Sequence, residues 1–135
     1  MALKTFAGKA ESVDFVNISS LAAVKPFASW GVYCIGKAAR DMLIQVIGAE
    51  VETVTSLSHG STIRALNYAP GPVDTDMQAE IRKNASIPEQ RQFYTMMFET
   101  GKLVTPDATT AKLVRILEQG KYENGAHIDY YDDVE

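Results

Sequence analysis

Apolar positions along this chain fall into short blocks whose period switches between two and about 3.6. Val13 to Ile18 is a run of β-branched and aromatic types that predicts a buried strand. Thr62 to Ala69 predicts a second strand, halted by Pro70-Gly71-Pro72, which neither strand nor helix can continue. Ala126 to Tyr131 predicts a third. Helical patterns lie between them. Ser19 to Ala28 is a loop broken by Pro26, and Ser29 can cap a helix from about Trp30 to Val51. Glu52 to Ser61 is polar, ends in His59-Gly60 and predicts a loop. Thr75 and Gln78 have capping-box spacing, so a short helix should start there. Pro88 to Thr100 predicts a helix with an apolar face at Phe93, Met96 and Met97. Thr105-Pro106-Asp107 supplies a cap, a first-turn proline and an acid near the positive helix end. That helix should face the core with Ala108, Ala111, Val114 and Leu117 and stop at Gly120.

Strands alternating with helices predict an α/β fold, a parallel sheet with helices on its faces. Such sheets place ligands beyond the C-terminal ends of their strands. Here those ends are Ser19-Ser20, Pro70-Gly71 and the stretch after Ile128, which should share one edge. No repeat, low-complexity tract or linker interrupts the 135 residues, so residues 1–135 read as one unit. Composition adds exclusions only. A net charge of -4 argues against a nucleic-acid partner, and no apolar run reaches the roughly 18 residues of a membrane span. The N-terminus lacks a secretory h-region, and the single Cys34 suits a reducing, cytoplasmic setting. His59 and His127 stand without spaced Cys or acidic ligands, which argues against a metal site.

Candidate chemistry begins with Tyr33 and Lys37, four apart on one helical face. A tyrosine is a poor proton donor at neutral pH, since its ordinary pKa is about 10. A nearby ammonium favours the phenolate, which brings the phenol closer to the range where general acids work. Ser20, at a strand end, can hold the same substrate oxygen. The three together suit carbonyl reduction: Ser20 orients, Tyr33 gives the proton, Lys37 tunes Tyr33. Tyr-x-x-x-Lys alone is a common coincidence. Asn17-Ile18-Ser19-Ser20 ahead of it and Pro70-Gly71 after the next strand make the pattern specific. Cys34 points off the Tyr33 face and reads as a packing residue, whereas Trp30 suits a pocket wall or a structural aromatic equally.

Val16-Asn17-Ile18-Ser19-Ser20, Tyr33-Cys34-Ile35-Gly36-Lys37 and Pro70-Gly71-Pro72 resemble the C-terminal half of the short-chain dehydrogenase/reductase family. Tyr33 to Leu43, Leu66 to Met77, Gly101 to Val104 and Gly125 to Asp132 are similar to one pterin-reducing branch of it. The resemblance implies the later half of a Rossmann-like doubly wound parallel sheet, without its N-terminal glycine-rich βαβ unit. It also implies NADPH-dependent reduction of a pterin side-chain ketone, a step of tetrahydrobiopterin biosynthesis. Ser20, Tyr33 and Lys37 would be catalytic, with Lys37 also on the nicotinamide ribose. Val73, Asp74, Thr75, Asp76, Met77 and Gln78 would wrap the nicotinamide end of NADP, and Gly71 would touch substrate. Asp129 would anchor the pterin ring, a role suited to a carboxylate that accepts two parallel N–H bonds. Read without the family, Asp74, Thr75 and Asp76 serve equally as a cap and its dipole partners, and Asp129 reads as an exposed acid. The helix bearing Gly31, Gly36, Ala38 and Ala39 is thin-walled, and in this family it joins a homodimer interface.

No glycine-rich G-x-x-x-G-x-G or G-x-G-x-x-G turn follows a strand in this chain, so the sequence reads as a fragment expected to bind NADPH weakly by itself. Two other functions fit the pattern: a carbonyl reductase of another ketone, and a non-catalytic homologue acting through dimerisation.

Overall fold

The structure, a computed structural model, describes residues 9–53 and 60–134. Three parallel strands, β1 (Ser12–Ile18), β2 (Thr62–Ala69) and β3 (Ala126–Asp129), pair in the order β1-β2-β3. Among the described residues four α-helices accompany them: α1 (Gly31–Thr53), α2 (Asp76–Asn84), α3 (Pro88–Glu99) and α4 (Pro106–Gln119). β2 is central because its side chains can be buried on both faces. Leu66 and Tyr68 point to one face and pack with Ile116 of α4, while Ile63 packs with Phe15, Ile47 and Val51 on the other. Helices therefore cover both faces, and the parallel α/β expectation holds.

Several local expectations need correction. β1 was expected to be buried, yet every one of its residues keeps some exposure. Its only sheet neighbour among the described residues is β2, so it stands at the edge of the described sheet. Ser29 does not cap α1. It adopts φ 67°, the left-handed region, whereas a capping residue needs an extended backbone. α3 does not bury Phe93 and Met96, which are exposed; Tyr94 and Met97 are the half-buried ones. α4 turns a different stripe inward. Ala108, Ala111 and Val114 face outward, and Thr109, Leu113, Ile116 and Leu117 face the sheet. The reason is polar: the Tyr68 hydroxyl donates to the Thr109 carbonyl at 3.0 Å and lies 2.9 Å from its hydroxyl, which itself reaches the Pro70 carbonyl at 3.1 Å. β3 ends at Asp129 rather than Tyr131, because Asp129 opens a turn closed by Asp132. Of the expected loop at 52–61, positions 52 and 53 belong to α1, and residues 54–59, with His59, lie outside the described residues.

The helix starts at Thr75 and Thr105 are as expected, each hydroxyl accepting from the third residue on. Gly120 closes α4 with φ 61°. The close approach on α1 is at Gly48, not at Gly31 or Gly36. A Cβ at Gly48 would lie 2.7 Å from the Asn124 carbonyl carbon, while at Gly31 and Gly36 it would meet nothing within 4 Å.

Candidate active site

The three strand ends do share one edge. Ser19 extends the β1 ladder through its N–H to the Tyr68 carbonyl at 2.7 Å, and Tyr130 N–H reaches the Ala69 carbonyl at 2.8 Å. Gly71, at φ 74°, sits between them; a Cβ there would meet Val104 at 3.1 Å and Tyr130 at 3.4 Å. This places Gly71 beside the turn that carries Asp129. Asp129 accepts the Tyr131 N–H on Oδ1 at 3.0 Å, and Lys112 ties the same turn down through the Tyr130 carbonyl at 2.7 Å. Its other carboxylate oxygen accepts no hydrogen bond from the described residues.

α1 lays one stripe along the sheet, Tyr33, Lys37, Asp41, Ile44 and Gly48, three to four residues apart, whose first residues reach this edge while Gly48 packs on Asn124 ahead of β3. The Lys37 ammonium lies 5.6 Å from the centre of the Tyr33 ring. It donates to the carbonyls of Ile18 at 2.9 Å and Ser19 at 3.1 Å. An ammonium has three donors, so one stays available. Burial pushes Lys37 down from its ordinary pKa, Arg40 pushes the same way, and Asp41 opposes them. Ser20 follows directly on the Lys37 acceptors, with an extended backbone, and its hydroxyl accepts the Ala22 N–H at 3.1 Å. Its own proton remains free to donate to a ligand. The Tyr33 hydroxyl has no hydrogen-bond partner among the described residues. Chemically, then, the arrangement offers a phenol next to a cation and a hydroxyl donor on the same rim.

The segment after Gly71 is fixed from two sides. Asp74 N–H reaches the Val104 carbonyl at 2.9 Å, and Val104 N–H reaches the Pro72 carbonyl at 3.0 Å. Val73 bridges to Val104, Thr75 caps α2, and Asp74 faces Arg82 at 3.7 Å. Asp76 and Met77 lie exposed in the first turn of α2, whereas Gln78 is buried with its Oε1 unpartnered. A buried acceptor without a donor is costly, and it fits a ligand that brings an N–H.

Sequence reasoning missed two groups. The first is Tyr94 of α3, which stacks at 6.3 Å on Trp30, the aromatic already singled out, as Trp30 meets Tyr33 edge-on at 5.7 Å. Burial and the neighbouring Tyr33 hold the Tyr94 phenol above its ordinary pKa. The second is a buried polar cluster around Asp41, which joins Asn17, Ser19, Asn67 and His127. His127 therefore does have an acidic partner. Its signal was present, since Asp41 lies four beyond Lys37 as Lys37 lies four beyond Tyr33.

A parallel sheet with this Ser, Tyr and Lys constellation at its carboxyl edge defines a dehydrogenase-type α/β protein. The chain belongs to the short-chain dehydrogenase family, whose model matches residues 1–86. It is similar to the sepiapterin reductase of Meriones unguiculatus, 46% identical over 122 residues, covering 90% of this chain and 43% of that protein. A benzil reductase of Bacillus subtilis is 34% identical over 127 residues, covering 93% of this chain and 50% of that one. Among solved structures, the KRED1-Pglu enzyme superposes with a TM-score of 0.71 at 29% identity, covering 85% of this chain and 46% of that one. The chain thus spans about half the length of the curated relatives it matches.

Proposed function

We propose that this chain is the catalytic and substrate-binding part of a cytoplasmic NADPH-dependent reductase for the side-chain ketone of a pterin. The observation that carries the reading is the Lys37 ammonium, hooked to the Ile18 and Ser19 carbonyls beneath the Tyr33 ring, next to Ser20. The similarity to sepiapterin reductases supports the substrate.

In this reading Ser20 donates a hydrogen bond to the ketone oxygen, and Tyr33 donates its proton to the same oxygen as the carbonyl becomes an alcohol. Lys37 stabilises the tyrosinate left behind, and general acid catalysis of this kind contributes roughly 10²–10⁴-fold. NADPH, when bound, supplies the hydride that goes to the carbonyl carbon. The residues present fit it. The free Lys37 donor suits a ribose hydroxyl, the orphaned Gln78 Oε1 suits a carboxamide N–H, and Val73 to Met77 form the fixed wall beside them. Gly71 leaves room for substrate, and Asp129 receives the amino-pyrimidine edge. Trp30 and Tyr94 supply flat apolar surface for a bicyclic ring. The exposed α1 residues Val32, Ile35 and Leu43, at 88%, 70% and 58%, suit a homodimer contact.

The benzil reductase relative favours a second reading, reduction of a different ketone. Turnover of sepiapterin and of benzil with NADPH, compared between wild type and Asp129→Ala, separates the two. Loss of a charge-assisted hydrogen-bond pair should lower kcat/KM for sepiapterin by about 10- to 100-fold while leaving benzil nearly untouched. Equal losses on both substrates would remove the pterin assignment.

A further inference from the structure

Asp41 is 2% exposed, and its carboxylate is fully engaged. Oδ1 accepts from the Asn17 amide at 2.9 Å and from the Ser19 hydroxyl; Oδ2 accepts from His127 Nδ1 at 2.5 Å. The Asn67 amide donates to the Asp41 carbonyl at 3.1 Å, and Asn17 also donates to the Asn67 side-chain oxygen at 2.9 Å. A carboxylate can only accept, so His127 carries its proton on Nδ1, and its buried Nε2 has no partner. Burying a charge this deeply is tolerated only where such a shell replaces water. The shell draws Asn17 from β1, Ser19 from just past it, Asn67 from β2 and His127 from β3 onto this one residue of α1. Its Ser19 member is the residue whose carbonyl takes the Lys37 ammonium.

We propose that Asp41 is the positioning residue for Lys37: its carboxylate pins Ser19, so that the Ile18 and Ser19 carbonyls stand where the ammonium beneath Tyr33 must dock. The inference rests on the reading of Lys37 as the cation that serves Tyr33. Asp41 touches neither substrate nor cofactor and acts through Ser19 and through its charge. The ionisable groups facing Lys37 are Tyr33, Arg40 and Asp41 on its own helix; the β1 end offers only carbonyls, and β3 contributes His127 through Asp41. Asp41 is thus the negative charge that opposes burial and Arg40 in keeping Lys37 protonated.

The test follows the Lys37 side chain itself by NMR on the full chain carrying ¹³C,¹⁵N-labelled lysine, with its signal assigned by its loss in Lys37→Arg. No cofactor or substrate is needed, so failure of the pterin-reductase reading leaves this measurement standing. Asp41→Asn keeps the shape and the Oδ1 acceptor but removes the charge. The Lys37 titration midpoint should fall by about 0.5 in pH, roughly threefold in proton affinity. A midpoint unchanged in a folded Asp41→Asn protein overturns the proposal, because a merely structural Asp41 would alter melting and leave Lys37 alone. Should that variant not fold, Ser19→Ala keeps the carbonyl and frees it from Asp41. Faster proton exchange of the Lys37 ammonium then supports the proposal, and an unchanged rate overturns it.

Discussion

Tyr33 stands with a free hydroxyl, a cation 5.6 Å from its ring centre and an aromatic edge from Trp30. If it is the proton donor, Tyr33→Phe removes one oxygen and almost no packing. We expect kcat for a ketone substrate to fall by about 10²–10⁴-fold with the melting temperature held, which steady-state kinetics and a thermal melt check together. At this scale the sequence was most informative. Ser20, Tyr33 and Lys37 were legible as a set, because four-residue spacing and strand ends are local properties of a chain, whereas Gly71 and Asp129 entered only through the family resemblance. Asp41, Asn67 and His127 were not assembled in advance, although each lay in plain view. Their pairing spans 26 and 86 positions, and no periodicity encodes a contact of that range.

At the scale of elements, α1 shows how a helix face is chosen. Its glycines look alike in sequence but differ in surroundings. A methyl at Gly48 runs into the Asn124 backbone at 2.7 Å, whereas one at Gly36 meets open space. Helix propensity favours alanine over glycine by about 1 kcal/mol at either site, but forcing backbone apart costs typically about 1–3 kcal/mol. Gly36→Ala should therefore raise the denaturant midpoint and Gly48→Ala should lower it; a shift of both in one direction would contradict the packing argument. α4 carries the same lesson. Small and apolar Ala108, Ala111 and Val114 suggested one face, yet Thr109 turned the helix by offering its hydroxyl to Tyr68 and Pro70. A buried hydroxyl of β2 needed a partner, and meeting that need outweighed a few methyl groups.

Across the whole molecule, the edge opposite the candidate site is closed by a second cluster. Arg64 of β2 forks onto Asp14 of β1 at 2.7 and 3.1 Å, and Tyr122 donates to the same carboxylate at 3.1 Å. Burial, with Asp14 adding to it, pushes the Tyr122 phenol up to about 12. The folded chain keeps this proton above pH 10, while the unfolded chain releases it there. Unfolding then releases a proton, so stability held in full below pH 10 declines as pH climbs toward 12. Urea midpoints at pH 9 and pH 11 should show that decline in the wild type and a shallower one in Tyr122→Phe. Element types, the order of strands and helices and the identity of the Ser, Tyr and Lys set were determined by the sequence alone, because each follows from spacing along the chain and from turn chemistry. Which face each helix buries and the Asp41 cluster beneath Lys37 were decided only by tertiary structure. Those depend on which distant polar groups must find one another once water is excluded.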